Sequence, residues 1–117
     1  SHYLKIEKYQ KILVQYIEKL AKEKSNRLGN NLIYQAIIDT KNNHFQLVEL
    51  GWHEKRYIHD VLIHLDINSE TGNIWYKKND TEIPLDVELA EYGIPKKHFV
   101  LGFRPPYMHG LAGFAMA

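Results

Sequence analysis

The chain of 117 residues contains no cysteine. That excludes a disulfide scaffold, a thiolate metal site and a Cys–His nucleophile, and it suits a reducing compartment. No uninterrupted apolar run approaches the roughly 20 residues that cross a bilayer as a helix. No signal-peptide pattern opens the chain, and no glycine-rich loop matches a phosphate-binding fingerprint. A strong charge of either sign is missing as well, the formal net charge being +1. Phosphate contacts supply most of the affinity for DNA, so a protein that grips DNA unaided usually carries a clear basic excess. The balance is uneven, however. Residues 1–30 hold seven Lys/Arg against three acids, and residues 80–91 hold five acids and no base. Such stretches read as solvated helix faces or as surfaces that meet a charged partner.

What is present points to one soluble α+β domain spanning 1–117, in which Ser1-His2 reads as the scar of a cleaved tag. Apolar residues make up 44% and charged residues 25%, both ordinary for a globular core and its surface. The central stretch, His44 to Lys78, reads as three consecutive strands: His44–Gly51, Arg56–Ile67 and Asn73–Lys78. In the middle one, strict alternation sets Tyr57, His59, Val61, Ile63, Leu65 and Ile67 on an apolar face. Arg56, Ile58, Asp60, Leu62, His64 and Asp66 then form a mixed face. A strand over Leu32–Asp39 precedes them, with Lys41-Asn42-Asn43 as the hairpin tip, since Asn tolerates left-handed backbone angles. The second strand alternates poorly, which predicts cover on both sides or a bulge. A turn centred near Glu70 places Trp75 across from Leu65, Tyr76 from His64 and Ile74 from Asp66. Trp75 then joins the apolar face, and Leu62, Ile74 and Tyr76 gather on the mixed one, too apolar to lie bare in water.

Two helices flank this four-stranded antiparallel meander. Tyr3–Lys24 carries Ile6, Tyr9, Leu13, Tyr16, Ile17 and Leu20 at three- and four-residue spacing, with Glu18–Lys22 as an i,i+4 pair. Ser25–Asn31 breaks the pattern and holds turn residues. The second helix is predicted from an N-cap at Thr81 to Tyr92. Gly93 is its C′ residue, Ile94 makes the closing contact and Pro95 blocks continuation. Phe99–Phe103 is a buried run, strand or extended. Arg104-Pro105-Pro106 makes a stiff corner, and the apolar extension Tyr107–Ala117 is expected to dock.

The chemistry on offer is thin. The serines sit in termini or turns with no neighbouring base. His64 and Asp66 share a strand face, with Asp60 on it and Asp80 near, but a metal site needs three or more converging donors and only two can be argued. A His–Asp pair in a sheet serves equally as a satisfied polar pair or as part of an interface. His59 reads as a hydrogen-bonded core-edge residue, and His44 and His53 as solvated loop residues. No enzyme, cofactor or metal is predicted. The candidate interaction surface is Leu62, His64, Asp66, Ile74, Tyr76 and Asp80, with Arg104 and His109 at the corner of the extension.

VLIHLDI (61–67), NIWYKKNDTEI (73–83), LAEYGIPKKHFVLGF (89–103) and the ending RPPY…GFAMA (104–117) together resemble the XisI-like family, the cyanobacterial fdxN-element excision controlling factors. No single piece is a catalytic signature; the ordered set, over nearly the whole chain, carries the likeness. The resemblance implies a small cytoplasmic accessory factor. Such proteins are encoded beside an XisH-like companion of endonuclease fold, and act with a site-specific recombinase in developmental excision of a DNA element. Contact with the recombinase would be indirect, and a homodimer is a further option. Direct DNA binding through Lys5, Lys8 and Lys11, and a metal-dependent hydrolase or ligand-binding domain using His64, Asp66 and Asp80, are the alternatives. Two departures stand out. Asn79-Asp80-Thr81-Glu82 replaces Asp-Gly-Thr-Glu, and His109 stands where the family usually has Arg. An imidazole grips a partner's carboxylate or phosphate less firmly than a guanidinium.

Overall fold

The computed structural model describes residues 2–25, 29 and 31–117. The apolar stripe of the first helix, α1 (His2–Ser25), is what the sheet wraps. Its buried residues are Tyr9, Leu13, Tyr16, Ile17, Leu20 and Ala21, the three-and-four spacing expected of one helix face. Lys22 and Lys24 in the last turn suit the negative end of the helix dipole. The exposed side carries the i,i+4 pairs Glu7–Lys11 and Lys19–Glu23 rather than Glu18–Lys22.

Five strands follow in sheet order: β1 (Ile33–Asp39), β2 (His44–His53), β3 (Arg56–Ile67), β4 (Ile74–Asn79) and β5 (Phe99–Val100). The first four form an antiparallel meander as predicted. The fifth lies parallel to β4, pairing Ile74 with Phe99 and Trp75 with Val100, so the sheet is mixed rather than purely antiparallel. Two residues are too few to show a strand period, and the parallel direction follows from the crossover through the second helix. Phe45, Leu47, Ile63, Leu65, Ile74 and Phe99 are fully buried between this sheet and the helices.

Two bulges set the faces. Leu47 pairs with Ile63 but Val48 with Val61, which leaves Leu62 as the extra residue on β3. Ile63, Leu65 and Ile67 therefore face the helix, while Tyr57, His59 and Val61 share the opposite face with Trp52, Leu50 and Val48. The single apolar face expected for β3 is in fact two half-faces, and His59 is exposed rather than at the core edge. On the other side, Ile63–His64 pair with Asn79–Lys78 and Leu65–Ile67 with Tyr76–Ile74, so Lys77 is the extra residue on β4. Leu65 thus opposes Tyr76 and Asp66 opposes Trp75, one residue away from the expected register. A one-residue slip exchanges the faces of a strand. Ile74 and Tyr76 are buried in the core, and Trp75 lies on the outer face.

The second helix, α2 (Leu85–Glu91), starts later than expected. The Asn79 side chain accepts from the Thr81 backbone, and the Thr81 hydroxyl accepts from the Ile83 N–H, winding these residues into turns. Ile83, preceding Pro84, is also disfavoured in the helical region. The end matches expectation. Gly93 takes φ +105°, its N–H reaches the Ala90 carbonyl, and the Ile94 N–H reaches that of Leu89, with both Leu89 and Ile94 fully buried. Tyr16 donates to Glu88 at 2.7 Å and ties α2 to α1.

The extension docks, as expected of its composition, but onto its own chain. The Ala115 N–H bonds the Phe99 carbonyl at 2.7 Å on the free edge of β5, and Phe114 packs against the core. The tip Thr40–Asn43 also forms as expected, with Asn43 at φ +63° and Asp39 accepting from the Lys41 and Asn42 amides. Of the loop expected over Ser25–Asn31, residues 26–28 and 30 lie outside the described residues. Among those described, no helix is long and apolar enough to cross a membrane.

Candidate functional site

The outer face of the sheet, turned away from α1, collects the polar side chains with the densest contacts. His44 on β2 is the cross-strand partner of Asp66 on β3, and Gln46 that of His64. His44 Nδ1 lies 2.9 Å and His64 Nε2 2.8 Å from the same Asp66 oxygen, Oδ1. Lys77 Nζ holds the other oxygen, Oδ2, at 2.8 Å. The Gln46 amide contacts His64 Nδ1 at 3.0 Å, fixing the ring from behind. Strand pairing positions four of the five residues, and the β4 bulge places Lys77, with no loop involved. Partial burial pushes the Asp66 carboxyl up, but the hydrogen bonds from Lys77, His44 and His64 outweigh that, and the group sits below its ordinary value. Asn42, His44, Asp66, Trp75, Lys77 and Gly102 line a cleft of about 540 Å³ beside this cluster.

The extension packs on Trp75, one of the residues that line that cleft. His109 is buried, its ring edge-on to Trp75 at 5.5 Å. Its nitrogens contact the Arg104 carbonyl at 2.9 Å and the Met116 carbonyl at 3.2 Å. Gly102 backs onto Trp75; a Cβ there would stand 3.1 Å from the indole. The Trp75 N–H is buried with no hydrogen-bond partner among the described residues.

Further along the same face the surface turns apolar. Ile33, Ile37, Trp52 and Tyr57 are each about half exposed or more, at 54%, 48%, 62% and 53%. Ile33 pairs with Leu50, Leu50 with His59, and Trp52 with Tyr57, so Ile33, Leu50, Trp52 and Tyr57 lie in adjacent rows across β1, β2 and β3, whereas Ile37 pairs with Gln46 beside the Asp66 cluster. The Trp52 and Tyr57 rings meet at 5.4 Å. The flipped half of β3 adds Tyr57 to this surface.

Of the residues singled out from the sequence, His64 and Asp66 are together on the outer face. Leu62 is a partly buried bulge residue packed against the core, and Ile74 and Tyr76 are buried in it. Asp80 is exposed, paired with Lys78 at 3.3 Å, and absent from the Asp66 cluster. Arg104 is exposed, over the Phe103 ring. His109 is engaged within its own chain rather than offered to a partner. His44 and Lys77 were not legible as site residues, because the first is 22 positions from Asp66 and the second is a bulge residue. Of the three α1 lysines singled out for DNA contact, Lys5 binds the Thr71 carbonyl and Asn73 side chain, and Lys11 faces Glu7.

The family model described as XisI protein matches residues 4–116. Two solved structures from Anabaena variabilis are similar over nearly their full length. One is a XisI-like protein, 29% identical, covering 96% of this chain and 99% of its own, with a TM-score of 0.83. The other is the fdxN element excision controlling factor XisI, 28% identical, covering 97% and 99%, with a TM-score of 0.76. No protein of curated function matches the sequence.

Proposed function

The chain belongs to the XisI family, and from that premise we propose that it is an accessory factor in the controlled excision of a DNA element. It acts without catalysing a reaction itself, by docking onto a second protein of the XisH-like, endonuclease-fold kind through the outer face of its sheet. One observation carries the docking surface: the half-exposed Ile33, Trp52 and Tyr57 at the end of the outer face that no described element covers. Contiguous apolar patches with aromatic anchors are unusual on monomers and common at interfaces. The near-neutral charge supports leaving DNA contact to the partner, as does the engagement of Lys5 and Lys11 within α1 and its surroundings. Recovery from native cells tests the reading. The XisH-like companion is expected to co-purify with this chain. Failure of the two purified proteins to associate at micromolar concentration overturns it.

A further inference from the structure

We propose that His44, His64 and Asp66 form a binding site for one divalent transition-metal ion of the zinc type. Their donor atoms, His44 Nδ1, His64 Nε2 and one Asp66 oxygen, all lie within 4.8 Å of one another. A tetrahedral zinc ion with arms of about 2.0–2.1 Å takes this ligand chemistry, and side-chain rotations suffice to bring three such donors round it. The three sit on adjacent paired strands, so the backbone presets their positions. Two supporting contacts have the character of an outer ligand shell. Gln46 stands at His64 Nδ1, so that with its amide turned over it accepts the proton that nitrogen carries once Nε2 is a ligand. Lys77 holds Asp66 Oδ2 and leaves Oδ1 turned to the two imidazoles.

Without metal, each ring meets Asp66 Oδ1 through the very nitrogen that would ligate. On binding, each neutral ring carries its proton on its other nitrogen. No bond to carbon changes, and no oxidant or reductant is needed. The ion would then be held by three protein donors on a surface where His44 is half exposed, leaving its fourth position open to water or to a donor from a docked molecule. Ligands of nitrogen and oxygen without sulfur suit zinc, cobalt or nickel, and cobalt serves as a spectroscopic probe of geometry.

The site is tested with the full chain, stripped by chelator and titrated calorimetrically with zinc chloride, with cobalt chloride titrated in parallel by visible absorption. One zinc per chain is expected, with intense cobalt bands of a low-coordinate site. His44→Ala and Asp66→Asn are expected to weaken zinc binding by more than about tenfold, while His53→Ala at the far hairpin end leaves it unchanged. His44 is exposed, so its variant retains the fold, which circular dichroism verifies. Absence of stoichiometric zinc overturns the proposal, as does binding that survives both ligand substitutions or that disappears in His53→Ala.

Discussion

His109 shows how one side chain can fix a segment. Its ring is buried against Trp75 and spans the carbonyls of Arg104 and Met116, so it pins both ends of the closing loop. His109→Ala removes the packing and at least one hydrogen bond, and is expected to cost about 2–3 kcal/mol in urea unfolding. Limited proteolysis with chymotrypsin should then cut at Tyr107, Leu111 or Phe114 while the far-ultraviolet spectrum stays native. His98 makes a different prediction. Its Nδ1 hydrogen-bonds with the Tyr9 hydroxyl, and burial, then the charges of Lys5, Lys97 and Lys8, hold its pKa below the ordinary value. In acid the unfolded chain binds a proton that the folded one resists, so stability falls as pH drops through about 6.5 and below. His98→Asn keeps an acceptor for Tyr9 but cannot titrate. Its stability should therefore fall less between about pH 7 and pH 5 than that of the parent chain; equal slopes would refute the assignment.

Elements held by local rules are the ones the sequence reveals. The Gly93 cap of α2 is of this kind. Gly93→Ala forces a side chain into φ +105° and is expected to cost about 1–2 kcal/mol by thermal or urea unfolding. The stripe of α1, the Asn43 tip and the four meander strands were legible for the same reason: spacing and turn chemistry act within a few residues. The faces of β3 were not. Counting back from the turn at Glu54–Lys55 without a bulge sets His44 opposite Leu65; the extra residue at Leu62 moves its partner to Asp66. The bulge is what assembles the His44–Asp66 contact, and nothing in the residue order near Leu62 announces it. The loop Asn68–Asn73 hides its register similarly. Asn68 exchanges bonds with Asn73 and Gly72, closing six residues where a shorter turn was expected. β5 pairs through two residues, below any periodic signal. Hence His64 and Asp66 could be picked out as neighbours, whereas His44 and Lys77 needed the register.

For the whole molecule, the two sides of the sheet have different tasks. One side packs on the helices, and the extension seals the β5 edge. The other carries the Asp66 cluster at one end and the apolar rows at the other. Ile74 and Tyr76, expected to wait for a partner, are covered by the chain itself, so the exposed apolar side chains of the sheet are instead Ile33, Ile37, Trp52 and Tyr57. Trp52→Glu combined with Tyr57→Glu should leave the unfolding midpoint nearly unchanged, because both side chains are already more than half exposed. The same pair should abolish docking, because a buried unpaired carboxylate at an interface is costly. The most direct measurement is a binding titration of the XisH-like companion against the parent chain and this double variant, followed by analytical ultracentrifugation. Saturable association of the parent at micromolar concentration or tighter, weakened at least about a hundredfold in the variant, is the predicted result. Equal binding by both proteins, or none by the parent, would contradict the assignment of the outer face as the docking surface.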